Sequence, residues 1–470
     1  MVARLRPYLL LFLALTVVYH ANLRPVDSSD SLPGSLIPFA LFLDHTVTLD
    51  RFVPWLSKHV WYAPFVVHQA HGHYFSGYPI GAPLLVSPLY LPIAFIATGG
   101  DPGSLLIFAR ISAKFAAAAI AALSAVVLLF LLKRITTTPW AWWLTLVYAL
   151  ATETWSISSQ ALWQHGPGEL AIIAGLYGLE GWSQDRGRNG WLWLCGACVA
   201  AAFMIRPTNL VLLPAILVAL LPAKAAFTQQ LRFLIVPLLG GLLLAGYNYY
   251  VFQRVSGGYA VTLLRGSTFA GLAGVFLSPG RGLLLYTPVA LFALFAFSGR
   301  ASPVRSRHNP LFAAAVAFIL LDSISIGRSV IWWGGYCWGP RMLSELAPPL
   351  IVLMAIGVSA IDRPWPRRVF LALALYSVLI QAIGVFFYPN GHWDGIPEGV
   401  DASPGRLWAW RDSPIARTIR GGLYWEPYAI VGAAVTGGIP AAWLRMRELN
   451  VSPFEQSEPG TVPRANRGLP

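Results

Sequence analysis

The residues of this chain that could do chemistry stand in short polar stretches between long apolar runs. Asp27 and Asp30 share one such stretch, VDSSDSLP, inside the segment 22–49 that follows the first hydrophobic run. A carboxylate held just outside a membrane can act as the base of a glycosyl- or phosphoryl-transfer site. The same two acids also suit an ordinary solvated turn or a helix N-cap. A second group is ionic: Arg110 and Lys114 in LLIFARISAKFAAAA are four residues apart and so share one helix face. At a rise of roughly 1.5 Å per residue, Lys114 lies roughly 13 Å in from the outer end of its run. Glu153, Glu169, Asp322 and Glu345 fall in the outer halves of their own runs. Charges inside apolar spans are costly and raise a functional hypothesis each time. Their shared depth argues for a polar cavity that opens outward; inter-helix ion pairs and snorkelling at the interface are the alternative.

Several further stretches combine glycine, aromatic and cationic residues: HYFSGYPIGAPLLVSPLYLP (73–92), SSQALWQHGP (158–167), MIRPTN (204–209), LSPGRGLLLYTP (277–288) and WWGGYCWGPRMLSELAP (332–348). Each puts a cation or a hydrogen-bonding ring where a span meets the outer surface. His68, His71 and His73 in VHQAHGHYF have spacings that could ligate a metal, yet no acid lies in that run and a solvated loop accounts for them equally. Cys195 and Cys198, one helical turn apart in an apolar run, read as packing and not as a disulfide or zinc site.

The elements that must hold these groups are membrane helices. The 470 residues are 56% hydrophobic and 11% charged, which excludes a soluble domain of this size. Nineteen Trp and eighteen Tyr, many near the ends of apolar runs, fit interfacial aromatic belts. The net charge of +13 would suggest nucleic acid in a soluble protein, but the basic residues sit in short breaks between spans, where they report topology. Twelve runs are long enough to cross: 7–21, 106–132, 139–157, 166–182, 191–205, 208–222, 232–252, 283–298, 309–325, 343–361, 368–387 and 426–444. A thirteenth, 80–100, would invert every later loop if it crossed. Laid along the outer surface, it leaves Arg4/Arg6, Lys133/Arg134, Arg186/Arg188, Lys224/Arg232, Arg300/Arg305/Arg307, Arg363/Arg367/Arg368 and Arg445/Arg447 all cytoplasmic. Charge therefore predicts twelve spans with both ends inside. The long outer pieces are 22–105, 253–282, 326–342 and 388–425, and a disordered cytoplasmic tail, 447–470, follows a transmembrane domain of 1–446. The N-terminal run has no small-x-small cleavage pattern after it and reads as a retained span.

This arrangement resembles the C-type (GT-C) glycosyltransferase superfamily, integral membrane enzymes that take sugars from polyprenyl-phosphate carriers. The matching features are an acid in the first outer loop, a surface helix preceded by Tyr78, Pro79 and Gly81, Arg110 opening the second span, and a helical hairpin turning at RPT. DSLP, QALWQHGP, RPTN, SPGRG and GGYCWGPR also resemble a set of uncharacterised bacterial multi-spanning glycosyltransferases. The likeness covers most of the chain up to about 345, and then RLWAWRDSPIAR (406–417). Many members of the superfamily carry a soluble domain after their spans, which this chain does not show.

The resemblance implies an all-α polytopic bundle in a bacterial inner membrane, with its active site facing outward and the first-loop acid as base. Asp30, in DSLP, is preferred over Asp27. A polyprenyl phosphate leaves readily, so the remaining need is cations for its developing charge: Arg110, Lys114, Arg206, Arg281 and Arg341 are the candidates, because guanidinium forks grip phosphate. His165, Trp163, Gln160, Tyr336 and Trp338 are the candidate sugar or acceptor contacts. The expected reaction is an inverting transfer from a polyprenyl-phosphate sugar to a glycan, lipid or protein acceptor, with no nucleic acid involved. The resemblance fixes no cofactor: some superfamily members use a divalent metal, and that option stays open. The competing readings are a translocator of lipid or lipid-linked saccharide, and a polysaccharide ligase or polymerase relying on Arg411 or Arg417.

Overall fold

The computed structural model describes residues 2–24, 28–60, 66–96, 101–188, 190–221, 223, 225–258, 264–335, 337–361, 363–388 and 399–423. Helix α1 (Val2–His20) leads into a long first connection holding α2 (Leu32–Leu43), α3 (Val53–His59), a hairpin of β1 (Val67–Ala70) and β2 (His73–Ser76), and α4 (Gly81–Ile96). There follow α5 (Pro102–Ile135), α6 (Thr138–Ala151), α7 (His165–Gln184), α8 (Gly190–Ile205), α9 (Leu212–Leu220), α10 (Phe227–Phe252), α11 (Thr268–Leu277) and α12 (Leu283–Tyr286). The described chain continues through α13 (Ser302–Arg307), α14 (Asn309–Gly327), α15 (Ala347–Gly357), α16 (Pro364–Phe387) and α17 (Pro414–Arg420).

Five described helical segments are long and apolar enough to cross a membrane: Pro102–Ile135, Phe227–Phe252, Asn309–Gly327, Arg341–Ala360 and Pro364–Phe387. Other expected spans are shorter or interrupted, for local reasons. The 139–157 run leaves the α-helix at Ala151 and resumes as a π turn over Thr154–Ser158. The 208–222 run begins as a 3-10 turn, Pro207–Val211, and the 283–298 run breaks at Pro288, whose ring removes a helical donor, to continue as a 3-10 segment. The 426–444 run and the 447–470 tail lie outside the described residues.

The 80–100 run forms α4, 16 residues long, so roughly 24 Å against a hydrocarbon layer of roughly 30 Å. One face buries Ala82, Val86, Ser87, Tyr90 and Ala94, while Leu84, Leu85, Leu91, Phe95 and Ile96 stay exposed. Its first residue is fixed by contact: a Cβ on Gly81 would stand 2.4 Å from the Met204 carbonyl oxygen at the end of α8. Helix α5 starts at Pro102, earlier than the apolar run suggests, because Asp101 caps it by accepting from the Gly103 and Ser104 backbone N–H groups. Its first turns share a small core with α2 and α4, separate from the main bundle core. Lipid offers no hydrophobic drive between helices, so packing rests on small residues. Ala116 to Ala122 of α5 are all buried, and none is larger than Ile120; Gly181 of α7 leaves room for the Trp191 ring, 2.5 Å from where its Cβ would be.

A two-stranded hairpin departs from the all-helical expectation. β1 and β2 pair antiparallel, Ala70 opposite His73, and turn through His71 (φ 53°) and Gly72 (φ 79°). Two consecutive residues at positive φ make the tight turn that suits strand twist.

Candidate active site

Asp30 ends the turn that opens α2, where the Ser31 and Leu32 N–H groups both donate to the Ser28 carbonyl. Arg341 opens a 3-10 turn, Arg341–Leu346, that leads into α15. Although 311 residues apart, the two meet: Arg341 Nη1 donates to Asp30 Oδ2 at 2.7 Å. Tyr78 Oη donates to Asp30 Oδ1 at 2.9 Å and Ser29 Oγ does so at 3.3 Å. Burial on its own pushes the Asp30 carboxyl up, but the Arg341 charge and the hydrogen bonds from Arg341, Tyr78 and Ser29 outweigh it and hold the group below its usual 3.8. The acid is thus ionised at neutral pH and about one-third exposed (32%). Arg341 Nη2 donates to the Gly334 carbonyl at 2.6 Å, and the guanidinium lies 5.3 Å from the Trp163 ring. Trp163 Nε1 in turn donates to Ser28 Oγ at 2.7 Å, which ties the SSQALWQHGP stretch to the Asp30 turn.

Beside this pair lies a recess lined by Asn22, Arg24, Gln160, Trp163, Trp338 and Tyr388, among others. Lys114 reaches its wall from α5: Nζ donates to Gln160 Oε1 at 2.5 Å, and Asn22 Nδ2 donates to the same oxygen at 2.8 Å. Trp338 packs edge-on against Tyr286 at 5.4 Å and beside Tyr388 at 5.1 Å, with its buried indole N–H left without a partner. A cation-and-donor wall with aromatic sides can hold an anionic, acceptor-rich ligand.

Behind Arg341, Glu345 takes the opposite end of the same turn. Arg206 Nη1 donates to Glu345 Oε2 at 2.5 Å, and His165 Nδ1 lies 3.0 Å from that oxygen and 3.1 Å from Oε1. All three side chains are buried. Arg206 comes from the extended residue between α8 and the Pro207 turn, His165 from the first residue of α7. A complete cluster of this kind orients its members rather than offering a free cation to a substrate.

The candidate cations thus divide. Asp30 and Arg341 meet directly, Trp163 lies against Arg341 and bonds Ser28 of the Asp30 turn, and Gln160 and Trp338 line the adjoining recess, with Lys114 bonded to Gln160. Arg206 and His165 are joined one turn behind. Arg281, fully buried, donates to the carbonyls of Trp333, Gly280 and Gly335 at 2.9, 3.1 and 2.9 Å, so it stitches the SPGRG and WWGGYCWGP loops together. Arg110 is half-buried one turn from Lys114 on α5, away from the recess lining. Asp27 and Tyr336 lie outside the described residues. The histidines do not converge: His68 sits 5.0 Å from Phe252, His71 stacks on Tyr250 at 4.4 Å, and His73 pairs with Asp50 at 2.7 Å. Among the described residues no three His, Cys, Asp or Glu side chains form a metal-binding group.

Asn22 and Arg24 were not among the candidates read from the sequence, Glu345 was read only as a charge in the outer half of its run, and Tyr78 only as part of a motif. Arg24 stands three residues before Asp27 in the same polar stretch, and Glu345 is an acid four residues beyond Arg341, so both carried a signal. Sequence reasoning also overlooked a buried acid near the opposite ends of the helices: Glu180 of α7, whose Oε1 lies 2.7 Å from His308 Nδ1.

No protein-family model and no curated protein matches the chain. Among solved structures it is similar to ArnT from Cupriavidus metallidurans bound to undecaprenyl phosphate, at 15% identity and a TM-score of 0.53, covering 95% of this chain and 75% of that one. The same protein in its apo state matches with 15% identity and a TM-score of 0.51 over 83% of this chain and 66% of that one. At that identity the likeness speaks for the fold, and with the long apolar helices and the site-bearing first connection it makes the chain a polytopic helical membrane protein of the GT-C fold.

Proposed function

We propose that the chain is a membrane glycosyltransferase that moves a sugar from a polyprenyl phosphate to an acceptor hydroxyl, at the end of the bundle that holds Asp30. The observation that carries this reading is the Asp30–Arg341 pair, an ionised carboxylate and a guanidinium 2.7 Å apart, set beside the recess whose wall residue Gln160 holds Lys114. In the reaction the acceptor O–H gives its proton to an Asp30 oxygen, and the acceptor oxygen bonds to the anomeric carbon. The bond from that carbon to the phosphate oxygen breaks, and its electron pair leaves on the phosphate. Displacement in one step inverts the anomeric centre.

Arg341 and Lys114, with Arg24 on the recess wall, supply positive charge where the phosphate develops negative charge. Trp163, Trp338 and Gln160 form the surface for the sugar, and Tyr78 orients the carboxylate. That a GT-C structure has been solved with undecaprenyl phosphate bound supports a polyprenyl phosphate as the donor lipid. The membrane orientation that fits is the one charge predicts, with this end outside and both termini in the cytoplasm. A test supplies radiolabelled polyprenyl-phosphate hexoses and pentoses to the protein in lipid nanodiscs. Label passing to an acceptor in the wild type but not in Asp30→Asn supports the reading; transfer from none of these donors overturns it.

A further inference from the structure

Asp322 takes no part in that chemistry. It lies in α14, fully buried, and neither carboxylate oxygen has a hydrogen-bond partner. Three more oxygens are in the same state: Asn209 Oδ1, Thr208 Oγ1 and Ser323 Oγ. Helix α14 packs against both the Pro207–Val211 turn and the Arg341–Leu346 turn, and Asp322 is within electrostatic reach of Arg206 and Glu345. Asn209 Nδ2 and Glu345 Oε1 both lie within 3.4 Å of the point where a Cβ on Gly168 would stand, so Asn209 adjoins the Arg206–Glu345–His165 cluster.

The backbone is also broken here. Helix α8 stops at Ile205, Arg206 is extended (φ −143°, ψ 115°), and a 3-10 turn resumes the path inward. The negative end of the α8 dipole therefore points to the break, and interrupted helices of this kind hold small cations in membrane proteins. Charge accounting gives the valence. Glu345 neutralises Arg206 at 2.5 Å, so Asp322 has no counter-charge of its own in this group. Dry and unpaired, a buried carboxyl keeps its proton, and a bound cation is what would let it ionise. The orphaned atoms are all oxygens, which suits a hard cation, and a single negative charge next to a guanidinium favours one positive charge over two.

We infer that Asp322, Asn209, Thr208 and Ser323 bind a small monovalent cation of the sodium type at the α8 break. Such a site takes no part in the transfer reaction.

The full chain in nanodiscs is assayed for binding of radioactive sodium and for Tm in NaCl against choline chloride at equal ionic strength. The expected result is saturable binding of about one ion per chain, with Tm higher in sodium by a few degrees, as binding to the native state alone requires. Asp322→Asn should abolish both, and Thr208→Val, which keeps the carboxylate, should weaken binding by about tenfold. If Asp322→Asn does not fold, the wild-type and Thr208→Val measurements decide. Absence of saturable sodium binding, binding unchanged in the variants, or displacement by magnesium at lower concentration than sodium each overturns the inference.

Discussion

Replacing Glu345 by glutamine removes one charge and almost no volume, so it isolates what the carboxylate does. Its side chain is fully buried (0%), as nearly are those of Arg206 (5%) and His165 (6%). With the carboxylate gone, Arg206 becomes a buried guanidinium without its counter-charge. Breaking a buried pair from one side costs about 3–5 kcal/mol, a large part of the roughly 5–15 kcal/mol by which proteins are stable. Arg206→Met should cost a similar amount, because it strands the carboxylate beside Asp322. Removing both charges together should cost much less than the two single changes added, with a coupling of about 2–3 kcal/mol. The assay is a double-mutant cycle of equilibrium unfolding in one mixed-micelle system. Transfer activity should fall with stability, since Glu345 and Arg341 share a six-residue turn, and a shift of about 1 Å at a catalytic group can cost about a hundredfold in rate. Single variants within about 0.5 kcal/mol of wild type, or strict additivity, would refute the claim that this cluster fixes the turn.

Arg341→Ala should move the acidic limb of the pH–rate profile upward by about one unit or more. The sign follows from the pair: Arg341 holds Asp30 below 3.8, so the stability it lends is present above the unfolded value and lost as pH falls through the lower folded one, and without Arg341 burial alone raises the carboxyl. An unmoved limb in the residual activity would show that another group titrates. Tyr78→Phe removes one hydrogen bond to a partly exposed carboxylate, about 1 kcal/mol; the expected loss in kcat is about fivefold with the KM for donor unchanged. Lys114→Met should raise the KM for the lipid phosphate by about tenfold or more while leaving Tm within a few degrees, as a lost phosphate contact requires. Arg281→Lys should behave oppositely, because one ammonium cannot reach the carbonyls of Trp333, Gly280 and Gly335 together: Tm falls and donor KM does not, as thermal scans and initial rates will report.

The membrane character and the helical class were legible, because they depend on composition and on the length of apolar runs against bilayer thickness. The turn at RPT was legible too, since Pro207 ends one helix path and starts another. Helix α2 was not: LPGSLIPFALFL has two prolines and no charge, and it becomes a helix only through the small core it shares with α4 and α5. The long-range pairs were equally hidden. Nothing local says that Arg341 meets Asp30 or that Arg206 meets Glu345, because partner choice depends on which helix ends lie side by side. Arg281 shows the same limit from another direction. Its glycine-flanked setting suits phosphate and suits a carbonyl clamp alike, and only the positions of Trp333 and Gly335 separate the two.

The proposed transfer turns on one carboxylate. In a transfer assay with a polyprenyl-phosphate sugar, with Tm recorded on the same preparations, Asp30→Asn should lose about 100- to 10,000-fold in rate, the range for removal of a general base, and remain folded. Asp27→Asn should keep most of the activity. A folded Asp30→Asn protein that transfers sugar at the wild-type rate would contradict the account.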